Sequence, residues 1–247
     1  MYLRAIHAEP SIPALKAFLA ANPLGLLTTA LPSTDPSIHY LQTSHIPWVI
    51  DDPSPSENSL PTLRGHIARQ NPHAKVFIEH ASALAHPGKP FQLQQEVMVL
   101  FNAPHDFYVT PKFYTKTKPE SGKVVPTWNY AAAQAYGIAT VYVDTKADST
   151  INFLHKQIRD LSNKAEEEIM GHEKPWQVDD APDKYIELLR KNIIGIEIKV
   201  MSLGGKYKMS QEMGVEDREG VAKGFEGMKT EAGDWMANTV RERGITK

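Results

Sequence analysis

The run Thr62-Leu63-Arg64-Gly65-His66-Ile67-Ala68-Arg69-Gln70-Asn71-Pro72 constrains the fold more than any other stretch of the chain. Leu63, Gly65 and Ile67 alternate with Thr62, Arg64 and His66, the period-two pattern of a strand with one face toward a core and the other toward something polar. Asn71-Pro72 ends the run, because proline disfavours helical geometry in the residue before it and marks a turn. Arg64, His66 and Arg69 therefore crowd a strand end, and Gly65 lets a flat or anionic ligand approach the backbone. Three potential cations beside a glycine point to a phosphate. A partly solvated strand whose basic side chains pair with surface carboxylates is the other outcome open to the same residues.

At 247 residues and 41% apolar composition, the chain can bury a sizeable core as one β-rich domain or two small ones. Its 27 Lys and Arg against 29 Asp and Glu leave a formal charge of −2, which provides no basic footprint for wrapping nucleic acid. Direct DNA binding is therefore not expected. The absence of cysteine rules out disulfides, thiolate nucleophiles and cysteine-based zinc or iron–sulfur sites. No window approaches the length of a membrane span, and residues 1–7 contain no long apolar run, so a cytoplasmic protein is expected, with the nucleus open if the source is eukaryotic.

In chain order, Ser11 can cap a helix carrying Ile12, Leu15, Phe18 and Leu19, which ends at Asn22-Pro23. Strands are expected over Leu24–Leu31 and about Ile38–Ile50; Pro47 inside the second confines that position to an edge, a bulge or a barrel seam, and His45 beside it could face a pocket. The serine-, proline- and acid-rich residues 51–61 read as a surface loop. Lys75–Glu79 is expected as a strand, Val97–Phe101 as a strand buried on both faces, and His105–Thr110 and Ile138–Val143 as further strands. A long helix should start at Ser149 or Thr150, and a second near Pro182 should turn Tyr185, Leu188 and Leu189 inward. Ile194, Ile196, Ile198 and Val200 alternate as a half-buried strand, Gly204-Gly205 reads as a turn, and Val215–Lys247 shows only weak helical periodicity. The domain reading is a barrel over 1–203 with a helical insert at about 147–192, followed by a C-terminal extension, 204–247.

Several words of the sequence, taken in order, resemble the PaiB-type family of FMN-binding negative transcriptional regulators. They are Asn22-Pro23-Leu24-Gly25, Ser44-His45-Ile46-Pro47, Leu63-Arg64-Gly65-His66-Ile67-Ala68-Arg69 with Asn71-Pro72, Gly122-Lys123-Val124-Val125-Pro126-Thr127-Trp128-Asn129-Tyr130, Ile194-Gly195-Ile196-Glu197-Ile198, and Lys208 with Ser210-Gln211. The resemblance implies a mainly β fold with flanking helices: a six-stranded split β-barrel that forms a homodimer, with an FMN in each of two clefts at the subunit interface. It implies that Gly65, His66, Arg69 and Asn71 hold the phosphate and that His45 and its strand line the ring system. Lys123, Thr127, Trp128 and Asn129 would approach from the partner chain, with Lys208 and Gln211 closing the cleft. Arg64 joins this set through its place on the basic strand. One departure is Glu212, which follows Gln211 where the family usually has asparagine.

Three functions fit these readings: a flavin protein with a redox or sensing role, a transcription regulator acting through DNA or a partner, and a haem-binding or haem-degrading protein. The haem reading rests on 10 histidines, with His66, His73, His80 and His86 near the expected cleft in sequence. Hydrolase chemistry lacks its signatures, since there is no Gly-x-Ser-x-Gly word and no thiol nucleophile, and no catalytic residue or metal site is assigned.

Overall fold

A computed structural model describes residues 1–52, 58–84 and 88–245. The elements are β1 Ala8–Glu9, α1 Ile12–Ala21, β2 Leu24–Ala30, β3 Leu41–Pro47, β4 Val49–Asp51, β5 Thr62–Ala68, α2 Pro72–Leu84 and β6 Phe91–Asn102. There follow β7 Phe107–Val109, α3 Thr117–Ser121, β8 Thr127–Tyr142, α4 Asp148–Lys164, α5 Asp183–Arg190, β9 Ile193–Lys208, α6 Val215–Glu226 and α7 Glu231–Ile245. The fold is thus mainly antiparallel β with flanking helices. Chain contacts divide it into a larger unit, Leu19–Phe101 with Ala135–Leu203, and a smaller one, Met1–Phe18 with Asn102–Gln134 and Gly204–Lys247.

In the larger unit the strands follow the order β3-β2-β6-β8-β9-β5-β4. The two end strands, β3 and β4, are consecutive in the chain and separated only by Trp48. One residue spans about 7 Å, so the two ends of the sheet must meet there and the sheet curls toward closure as a barrel. Pro47 sits at this seam, one of the three positions that a proline in a strand can occupy. Trp48 is fully buried, and its ring occupies the space left by two glycines. A Cβ on Gly25 would lie 2.9 Å from the indole, and one on Gly65 3.0 Å from it. Leu27, Ile46, Leu63, Val99, Phe101, Ile194, Ile196 and Ile198 fill the barrel around this ring.

Several expectations change in this setting. Lys75–Glu79 is helical, within α2, not a strand. Pro72 suits the first helical turn, and Asn71 caps it, its Oδ1 accepting from the His73 backbone N–H at 2.9 Å. The buried positions His73, Ala74, Val76, Phe77 and Ala81 then follow helical spacing. The strand expected over 38–50 starts at Leu41 and breaks at Trp48. The strand expected over 138–143 is the end of a 16-residue one. Val97, Val99 and Phe101 are buried while Met98 and Leu100 are half-buried, so β6 is not covered equally on both faces. On α5, Tyr185, Leu188 and Leu189 are exposed, and Arg190 is the residue that turns inward. An amphipathic pattern shows that a helix has an apolar face but not which way it points.

In the smaller unit Gly204-Gly205 is no turn but part of β9. Gly205 pairs with Glu9 of β1, and a Cβ there would come 2.5 Å from Leu15, so the glycine serves close approach within a strand. The tail forms two helices. Arg241 of α7 grips Glu219 and Glu226 of α6, and the buried Phe225 packs against Phe107 and Phe113 at centroid distances of 5.5 and 5.4 Å. Asp217, 2% exposed, ties the Lys116 region to α6 by accepting from the Lys116 N–H at 2.7 Å.

A Cβ on Gly137 would lie 2.1 Å from the Lys199 carbonyl oxygen, a backbone atom that cannot move aside, whereas one on Gly204 meets only Leu3 at 3.1 Å. Gly137→Ala should therefore cost about 3 kcal/mol in chemical denaturation and Gly204→Ala less than about 1 kcal/mol. Equal effects would contradict the strand packing described here.

Candidate functional site

The twelve residues expected at a cofactor site fall into two sets, six in each unit. In the larger unit, β5 carries Arg64, Gly65 and His66, the turn after it Arg69 and Asn71, and the end strand β3 carries His45. His45 is exposed, paired across the ladder with Leu26.

Arg64 is 4% exposed and turned inward. Its guanidinium bonds Asp51 through Nε and, at 2.9 Å, through Nη2, and it reaches Asp160 at 2.5 Å and Gln157 at 3.2 Å on α4. Burial opposes its charge, but the bonds to Asp51 and Asp160 outweigh that and hold the group above its usual range. These bonds leave Arg64 as a clamp between β4, β5 and α4, occupied by carboxylates of its own chain. The alternating pattern of β5 could not reveal this, because the pairing residues lie 13 and 96 positions away.

The neighbouring residues keep polar groups uncommitted. Among the described residues the buried His66 Nδ1 has no hydrogen-bond partner, and burial lowers the imidazole pKa from its usual value. Arg69 donates from Nη1 to the Val143 carbonyl at 2.8 Å, and a guanidinium has five N–H donors in all. Asn71 opens α2, so a helix N-terminus stands beside Arg69, where backbone N–H groups and the helix dipole favour an anion. That helix start was missed in the sequence, although Asn71-Pro72 is its signal.

In the smaller unit, Thr127, Trp128 and Asn129 begin β8 and Lys208 ends β9. Lys208 donates to Thr127 Oγ1 and, at 2.8 Å, to the Trp128 carbonyl; burial lowers its pKa from the ordinary lysine value. Asn129 is fully buried, its Oδ1 accepting from Ser210 at 3.2 Å while Nδ2 has no partner. Gln211 is committed locally, accepting from the Met209 N–H at 2.7 Å and donating to the Tyr207 carbonyl at 2.6 Å. Lys123 is exposed in the loop after α3, and Lys112, Lys116 and Lys118 are exposed just before or within that helix.

Trp128 is half exposed, and its indole N–H donates to Asp106 at 2.8 Å. It lines an open cleft of about 350 Å³ with His105, Asp106 and Tyr130. A ring held by its N–H and offering one face can stack on a flat ligand. Asp106 and Tyr130 were not singled out in the sequence, because only the β7–β8 pairing, Tyr108 opposite Trp128, brings residues 105–108 to this corner.

Two of the four histidines considered for haem, His73 and His80, are used otherwise. His73 is fully buried, with Nε2 on Thr29 Oγ1 at 2.8 Å and Nδ1 on Ser44 Oγ at 3.0 Å. His80 bonds the Pro32 carbonyl at 2.9 Å. His86 lies outside the described residues.

With this geometry in hand, the model of a putative FMN-binding domain matches residues 1–202. The chain belongs to this FMN-binding family. FMN is accordingly the cofactor that the comparison supports, and haem gains no support from it. A relative in Emericella nidulans is 57% identical over 250 residues, covering 100% of this chain and 99% of its own length. The protease synthase and sporulation protein PAI 2 of Bacillus subtilis is 25% identical over 182 residues, 73% of this chain and 72% of that protein, which agrees with the PaiB-type motifs. A solved structure of a conserved hypothetical protein from Mycobacterium tuberculosis aligns with a TM-score of 0.48 at 10% identity, covering 87% of this chain and 94% of that one.

Two measurements probe the internal pairs of the larger unit. Arg64→Ala should lower stability by about 2–3 kcal/mol, less than a fully buried ion pair would lose, because Asp51 and Asp160 are each about one-third exposed and can rehydrate. An unchanged denaturation midpoint would contradict the clamp. Burial pushes the His73 pKa from 6.5 down to about 4. The unfolded chain therefore takes up a proton below pH 6.5 that the folded chain refuses until about pH 4, and stability should fall by roughly 3 kcal/mol across that window. The slope should shrink by that amount in His73→Gln, the remainder belonging to other groups such as His66.

Proposed function

We propose that this member of the family is a homodimer that binds FMN in clefts at its subunit interface and uses it in a redox or sensing role. The observation that carries the dimer is an outward sheet face in the larger unit. Leu26, His45 and Leu100 share one row across β3-β2-β6, Thr28, Thr43 and Met98 the next, and Leu24 and Leu41 extend it at 56% and 67% exposure. All of these side chains are half-buried or exposed. A contiguous apolar face of this kind is a favoured place for a second, identical subunit.

The residues fit the phosphate-bearing cofactor that the family match supports. His66, Arg69 and the N-terminus of α2 at Asn71 would take the phosphate, Arg69 through donors not used on Val143, while Gly65, whose open side is filled by Trp48, would serve by holding β5 against the seam. His45 and its strand would flank the ring. From the partner, Lys123, Thr127, Trp128, Asn129 and Lys208 would approach, with Trp128 supplying a stacking face; Gln211 would act through the turn it holds. Arg64 would serve by fixing β5. When bound, FMN supplies the electron-carrying chemistry, while the chain binds, orients and excludes water.

The purified protein should show a flavin absorption spectrum, or take up FMN with a rise in melting temperature, and should run as a dimer in light scattering. Arg69→Ala should weaken FMN binding about tenfold or more, the factor that a charge-assisted hydrogen bond carries. A colourless protein whose melting temperature ignores FMN, or a monomer, would overturn the reading.

A further inference from the structure

Residues 5–10 and the end of α7 enclose a cavity of about 450 Å³ in the smaller unit, lined by His7, Glu9, Tyr207, Gln211 and Arg243 among others. That volume lies in the range of small-molecule sites. His7 is 7% exposed, and its Nε2 sits 3.0 Å from Glu212 Oε2. An ionised carboxylate can only accept, so Nε2 carries the proton and Nδ1, the other ring nitrogen, presents a lone pair. Glu212 is not part of the cavity lining, so the pair is arranged with the carboxylate behind the imidazole. Such an arrangement fixes the tautomer and stabilises the imidazolium that forms when Nδ1 takes a proton.

The lining also carries a cation. The Arg243 guanidinium lies 3.4 Å from the centre of the Tyr207 ring and donates to Glu9 at 2.5 Å. The charged or titratable groups around His7 are therefore Glu212, Glu9, Arg243 and Tyr207, with Lys208 acting on Glu212 from β9. Burial opposes the charge of Glu212, yet the His7 bond and Lys208 keep its carboxyl below the usual range. With Arg243 balanced by Glu9, the cavity carries no surplus positive charge and favours a neutral ligand that becomes an anion only in place.

We propose that this cavity is a second ligand site, sharing Gln211 with the residues proposed for the FMN cleft, for a small molecule with a weakly acidic hydroxyl, a phenol or enol, that hydrogen-bonds to His7 Nδ1. His7 acts on it as a general base. The ligand O–H bond breaks, its electron pair stays on the ligand oxygen, and the proton forms an N–H bond at Nδ1. The imidazolium is then stabilised by Glu212 on one side and pairs with the oxyanion on the other, with no change in the total charge of the site.

The test uses the full chain and para-nitrophenol, which changes absorbance on ionisation, at a pH one unit below the probe's own pKa. The expected result is saturable binding with growth of the phenolate band in the difference spectrum, with and without added FMN. His7→Gln should abolish that band, and Glu212→Gln should weaken it about tenfold, the factor of one charge-assisted hydrogen bond. Para-nitroanisole, which lacks the hydroxyl, should not displace the probe. Absence of saturable binding, or a phenolate band that persists in a natively melting His7→Gln protein, would overturn the proposal. If that variant does not fold, an unchanged band in Glu212→Gln overturns it equally.

Discussion

The larger unit depends on a single residue step. Because β3 and β4 are the two ends of the sheet and only Trp48 lies between them, closure is imposed by the chain itself and not left to side-chain packing. The indole then fills the barrel at the seam, which is possible because Gly25 and Gly65 leave room for it. Its backbone N–H bonds the Pro23 carbonyl at 2.9 Å, so the seam is also fastened to the start of β2. Hydrophobic burial and backbone pairing meet at this one side chain.

From that seam the functional face follows. Once Gly65 is pinned under Trp48, β5 delivers His66 and Arg69 to the strand end, and α2 starts directly after them. Arg64, the cation in the middle of the same strand, is drawn the other way by Asp51 and Asp160. A row of similar charges in sequence is thereby divided by the fold into a structural clamp and a potential anion site. The clamp also holds α4, so the placement of that helix and of the basic strand end share one set of bonds.

The strands with alternation, β5 and the first half of β9, were legible because one face of each is buried. Pro47 was read as an edge, a bulge or a seam, and it sits at the junction of the two end strands. The middle of β8 was not legible: Ala131, Ala132, Ala133 and Ala135 carry no strand preference, and they are extended because neighbouring strands crowd them to near-complete burial. Gly204-Gly205 misled for the converse reason, since turn chemistry and close approach ask for the same residue. At the site, residue types were readable but partners were not. That Trp128 is held by Asp106, and that Gln211 is spent on its own turn, depends on contacts that local pattern does not encode.

The smaller unit is assembled from three pieces of chain, 1–18, 102–134 and 204–247. During synthesis the first piece leaves the ribosome long before α6 and α7 exist, and domains form only when all their parts have emerged. Residues 1–18 and 102–134 can therefore complete their contacts in this unit only after residues 204–247 have been made, so its order of assembly is set by chain connectivity and not by nearness in sequence.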